Sequence, residues 1–241
     1  MPSHRTYAQM TREGLFLYNK PMIVSIYGPD GVGKSTFAEK LKLSLVEHSQ
    51  TTFLFSGTHV NEWPDKEWYE HFVQNNIDES AIEEDSHFIE KILRCHRIAS
   101  RFQNKYDVVI IDSDPIHKTL IHDFIRAEKQ DKDANRIMKE RFSQFEELLS
   151  DEGLTIPQKA IYITLSSDLT EHGPILMSRL KQRGKLAHFD PKTEQEAQKI
   201  SAAANELNQL LSDSGHTIIT IAADLPIDIE LVSKQVLGMY N

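Results

Sequence analysis

The residues from Gly28 to Ser35, Gly-Pro-Asp-Gly-Val-Gly-Lys-Ser, satisfy the spacing G-x-x-x-x-G-K-[ST]. An apolar run precedes them and a helical pattern follows, the context in which that spacing binds phosphate. Glycines let backbone N–H groups close around a phosphate chain at a helix N-terminus, where side chains would obstruct the approach. Gly28, Asp30, Gly31, Val32, Gly33, Lys34, Ser35 and Thr36 are the expected cradle. Lys34 would reach the terminal phosphates of ATP, and the Ser35 hydroxyl would ligate Mg2+. An ordinary Gly/Pro turn is the competing use of such a segment, and the flanking patterns favour phosphate. Farther along, "KYDVVIID" is an apolar run ending in Asp112. A carboxylate at a strand tip can reach the same magnesium, directly or through water. Many strands end in an acid that only caps a turn, so Asp112 gains its metal role from the glycine loop.

These groups need a scaffold. Five short runs rich in β-branched residues recur between helical patterns: "MIVSIY" from Met22, "TTFLF" from Thr51, "DVVIID" from Asp107, "AIYITL" from Ala160 and "TIITIA" from Thr217. Each reads as a buried parallel strand, and strands alternating with helices imply an α/β sheet covered on both faces. Ligands then belong at the carboxyl ends of the strands. Between the third and fourth runs, Ile137, Met138, Phe142, Phe145, Leu148 and Leu149 recur at helical spacing and predict a helical pair on the sheet. After the fourth run, "PILMSRLKQRG" predicts a compact helix with Pro174 in its first turn and Gly184 as its stop. A longer helix is expected from about Thr193 to Leu211.

The chain has 241 residues and a formal net charge of -9. The length fits one domain over residues 21–241 behind an N-terminal lead of residues 1–20. The negative charge disfavours a broad grip on nucleic acid or an anionic membrane surface, but allows a local basic pocket. The single cysteine, Cys95, excludes an intramolecular disulfide and a Cys-based zinc cage. The first twenty residues lack the apolar core of a signal peptide, and no run approaches the roughly 18 apolar residues of a membrane span. A soluble, cytoplasmic protein is expected. His71, His87, His96, His117 and His122 do not have the spacing of a metal set, so no metal beyond Mg2+ is implied.

With "GPDGVGKST" as its most specific part, the sequence resembles the thymidylate kinase branch of the P-loop nucleoside monophosphate kinases from Met22 onward. The resemblance implies a P-loop NTPase three-layer sandwich with a five-stranded parallel sheet and a helical lid segment at about 174–192. It also implies a contact between Asp30 and the acceptor's sugar. "ILRCHRIASRF" looks like the family's helix whose arginine meets the acceptor base, which maps onto Arg97. Arg94, Arg97 and Arg101 could equally form a solvated cationic stripe. "SRLKQRGKLAHFD" is similar to the lid, whose arginines close over the transferring phosphoryl group and map onto Arg179 and Arg183. Four residues apart, the two share a helix face; a helix C-terminus would also favour them for its dipole.

Two departures limit the likeness. The family's strand-end Asp-Arg pair is here Asp112-Ser113, followed by Asp114 and Pro115, so the cation that holds the acceptor phosphate is missing. Lys118 could replace its charge. After the second strand, "FSGTHVNEWP" stands where the family has an Arg-Glu-Pro-Gly segment. Phosphoryl transfer from ATP to a nucleoside monophosphate, with a deoxypyrimidine nucleotide such as dTMP first, is the leading expectation. A kinase for a hydroxyl acceptor is the alternative, because Asp114 could then serve as a substrate-binding base. A nucleotide-binding regulatory protein without transferase activity is the third. Nucleotide-sized small molecules are the expected partners, and a homodimer is among the open oligomeric states.

Overall fold

The computed structural model describes residues 21–29, 31–59, 63–64, 85–164, 171–182 and 193–239. The expected N-terminal lead, Asp30, Arg183, Gly184 and the rest of the lid-like segment beyond Gln182 lie outside them. Five strands form: β1 Met22–Tyr27, β2 Thr52–Ser56, β3 Val108–Asp112, β4 Lys159–Thr164 and β5 Thr217–Ala222. Each falls on one of the β-branched runs. All neighbouring pairs are parallel and the order is β2-β3-β1-β4-β5. β1 is therefore central, the chain winds outward to both sides of it, and the crevice at its carboxyl end is where such sheets bind ligands.

Seven helices are described: α1 Lys34–Glu47, α2 Asp85–Gln103, α3 Pro115–Lys129, α4 Ala134–Asp151, α5 His172–Gln182, α6 Glu194–Asp213 and α7 Ile229–Leu237. On one face of the sheet, Val24, Ile26, Ile110 and Ile161 pack with Phe37, Leu41 and Leu45 of α1 and Val232 and Val236 of α7. On the other, Tyr27, Ala160 and Tyr162 meet Leu120 and Phe124 of α3, Phe142 of α4 and Leu207 of α6, while Val109 and Ile111 meet Cys95 and Ile98 of α2. Alternate residues of one strand thus feed opposite faces, which makes three layers. Burying each large aliphatic side chain contributes about 2 kcal/mol.

Helix starts differ in a way that matters for function. Asp133, Thr193 and Asp228 cap α4, α6 and α7 through their side chains, and Thr193 and Glu196 have the spacing of a capping box. Asp114 caps α3, with Pro115 in the first helical position. α1 begins instead on Gly33 in a left-handed conformation, with no side-chain cap and no acid in its first turn. A helix start with no side-chain cap is the kind that can receive an anion. The central helical pair, α3 and α4, forms as the apolar spacing requires.

Candidate active site

The phosphate loop is shaped by its glycines. Gly28 has φ 147°, and a Cβ there would lie 2.3 Å from the Ile163 carbonyl oxygen of β4. Only glycine allows this approach. At the loop's far end, Gly33 turns the chain into α1 with φ 97°. Lys34 is buried, and its Nζ donates to the carbonyl oxygens of Gly28 at 3.0 Å and Pro29 at 2.9 Å. The ammonium is thereby folded back over the loop whose phosphate it would meet. Ser35 and Thr36 are exposed at the start of α1.

The tip of β3 adds the carboxylate. Asp112 is 8% exposed, and its Oδ1 accepts from the Ser113 hydroxyl at 3.2 Å. Ser113 has φ 63° and donates its amide to the Ile26 carbonyl at 3.0 Å, so the chain turns sharply just beyond the β1 crevice. No group of three or more His, Cys, Asp or Glu side chains suited to a metal occurs among the described residues. Mg2+ at a nucleotide needs no such group, because phosphate oxygens and water supply most of its ligands. A hydroxyl at Ser35 and a carboxylate at Asp112 are donors of the right kind.

α5 docks on the loop from above. Leu176 and Leu180 approach Gly31, and Arg179 Nη1 donates to the Val32 carbonyl at 3.2 Å. Arg179 also lines a cleft of about 390 Å3 with Gly33, Thr36, Lys40, Ala223, Leu225 and Ile227. The loop after β5 was not singled out by sequence, although the end of a predicted strand marked its place. We expect Arg179→Ala to raise the KM for ATP about tenfold, by removing a donor that both fixes the loop and walls this cleft. An unchanged ATP affinity, measured by calorimetry, would leave Arg179 a local helix contact.

Across the crevice, Tyr27, Lys34, Thr58, Ser113, Asp114, Lys118 and His122 line a small cleft of about 60 Å3. Thr58, Lys118 and His122 also line a larger one of about 250 Å3 between α2, α3 and α4. Its described charged lining is Lys91, Lys118, Arg126 and Arg141 against Asp123. Asp123 Oδ2 takes the Arg141 Nε at 3.0 Å, which ties α4 to α3.

Two expected substrate residues have partners within the protein. Arg97 Nη2 pairs with Glu152 at 2.8 Å, both side chains being nearly half exposed, and Arg97 lines neither of these two clefts. The cation that α2 turns toward the larger cleft is Lys91, which sequence reasoning missed. Asp114 does border the small cleft, but as a buried cap accepting from the Ile116 amide at 2.9 Å. Burial alone would raise its pKa; neighbouring His96 and His117 and the hydrogen bonds outweigh that and hold it below the ordinary carboxylate value.

An uncapped glycine-loop helix start, a lysine over the loop and an acid at the neighbouring strand tip, on a five-stranded parallel sheet, define a P-loop NTPase fold. No family model and no curated protein matches the chain. Among solved structures, the deoxyadenosine kinase from M. mycoides with bound dATP aligns with a TM-score of 0.48 and 15% identity, covering 89% of this chain and 98% of that one. No described helix is long and apolar enough to cross a membrane.

Proposed function

We propose that the protein transfers a phosphoryl group from ATP to a nucleoside monophosphate. One observation supports this: Lys34 of the phosphate loop and Lys118 of α3 line the same small cleft, and Thr58, Lys118 and His122 of that cleft also line a neighbouring one of about 250 Å3. A donor site beside an acceptor-sized space suits a transferase better than a regulatory protein that only binds nucleotide. The basic lining of that space, on a chain of net charge -9, suits an acceptor that is itself anionic.

The loop amides and Lys34 would hold the donor phosphates, and Lys118 would hold the acceptor phosphate in place of the family's missing arginine. Arg179, and Arg183 beyond the described residues, would neutralise charge on the transferring group from the lid side. Ser35 and Asp112 would hold Mg2+, which would neutralise the charge that develops on the transferring phosphoryl group. A phosphate acceptor has a second pKa of about 6 and is largely ionised near neutrality, so the reaction needs no strong base. That matters because Asp114, the base required by the hydroxyl-acceptor alternative, already caps α3 and has reduced proton affinity. The choice of a deoxypyrimidine base rests on resemblance alone.

The test is ADP formation from Mg-ATP with dTMP, dUMP, thymidine and hydroxymethyl-deoxyuridine at one ATP concentration. A monophosphate should stimulate the rate more than its nucleoside. Lys118→Gln should raise the monophosphate KM about tenfold, because a neutral amide replaces a charged phosphate contact. A higher kcat/KM for a nucleoside, insensitive to Lys118→Gln, would replace this function with hydroxyl phosphorylation.

A further inference from the structure

Several buried polar groups that the proposed chemistry leaves unused converge on Asp114. Its carboxylate caps Ile116, and its backbone carbonyl accepts from the Lys118 amide at 3.3 Å. One residue therefore fixes the first turn of α3 by two different groups. Around it, Asp114 Oδ2, both ring nitrogens of His96 and both ring nitrogens of His117 are buried without a hydrogen-bond partner. Such a concentration of unsatisfied atoms is uncommon in a packed interior. His117 lies against the Tyr27 ring at 4.3 Å, and burial, the largest influence on it, lowers its pKa to about 4. It carries no charge near neutrality. His96, from α2, places Nε2 3.5 Å from Asp114 Oδ1. Both side chains are almost wholly buried.

We propose that His96 is a positioning residue for the acceptor cleft: it braces Asp114 from α2 and so holds the first turn of α3, with Lys118, against the phosphate loop. The proposal rests on the nucleotide-kinase function above. Its physical basis is that a buried carboxylate deprived of the imidazole packed 3.5 Å from it must move or take up water. The preceding residue, Ser113, has φ 63°, a conformation that persists only where surrounding contacts impose it. Movement of this junction would shift the acceptor side of the cleft and leave Gly28, Lys34 and Arg179 in place.

His96→Leu and His96→Gln separate this from a merely structural role. The leucine variant should raise the acceptor KM about tenfold and leave the ATP KM unchanged. The glutamine variant, whose amide can donate from near the Nε2 position, should recover most of the loss. Equal acceptor KM values in wild type and His96→Leu, with only the active fraction reduced, would overturn the proposal. If His96→Leu does not fold, His96→Asn replaces it, since its shorter amide cannot reach where Nε2 lies. Asn and Gln variants with the same acceptor KM would then overturn the proposal. Amide hydrogen exchange at Ile116 and Lys118 gives an acceptor-independent measure. Exchange should accelerate about tenfold in His96→Leu and remain near wild type in His96→Gln. Unchanged protection refutes the brace whatever the enzyme's substrate. Accelerated exchange in a protein that phosphorylates no nucleotide would uphold the brace and refute the proposed function.

Discussion

Lys34→Ala is expected to reduce phosphoryl transfer about a thousandfold, the loss typical of removing a charge-stabilising donor from a water-poor site. Its hydrogen bonds to the Gly28 and Pro29 carbonyls lie within the loop itself. Losing them should cost about 1 kcal/mol of stability and leave a folded protein. Single-turnover ADP formation, paired with a denaturant titration of each variant, separates the two effects. A folded alanine variant turning over at the wild-type rate would remove Lys34 from the chemistry and, with it, the assignment of the loop to a transferred phosphate.

The loop and the five strands were legible because each is specified locally. β-branched runs bounded by turn residues have few alternatives, and every such run forms a strand. The glycine spacing carries its own backbone requirement, visible in the φ values of Gly28, Gly31 and Gly33. Asp112 falls at the end of β3 for the same reason: the strand's apolar residues set its register, and the next residue turns away.

The side of the crevice proposed for the acceptor was less legible because it depends on which way helices face one another. On α2 the residues Ile92, Cys95, Ile98 and Ala99 are buried, which rotates Arg97 to the surface and brings Lys91 to the cleft. Helical spacing relates these residues to each other but does not say which neighbour lies beyond each face. Asp114 illustrates a different ambiguity. An aspartate before a proline is a helix-start signal, and it is equally an available carboxylate. Its cap contact with Ile116 and its burial become visible only in three dimensions. The cleft under Arg179 joins α1, α5 and the loop after β5, three segments far apart in sequence, so no local pattern announced it.

The largest structural effect is expected from Gly28→Ala. The added Cβ would meet the Ile163 carbonyl oxygen at 2.3 Å, well inside van der Waals contact, and that oxygen belongs to the backbone of β4. Because β4 is paired on both sides, with β1 and β5, it cannot retreat without breaking the centre of the sheet. The φ of 147° adds conformational strain for any residue with a side chain. Together these place the cost at about 4 kcal/mol, at the upper end for a single substitution. Relief is available only by shifting the loop away from β4, which would also pull Lys34 from its position, since the Gly28 carbonyl is one of its anchors. Gly28→Ala should therefore lower the denaturation midpoint and abolish ATP binding together, whereas Lys34→Ala should chiefly affect transfer. A Gly28→Ala protein with wild-type stability and nucleotide affinity would mean that the loop does not pass so close to β4, and the geometry assigned to the phosphate cradle would be wrong.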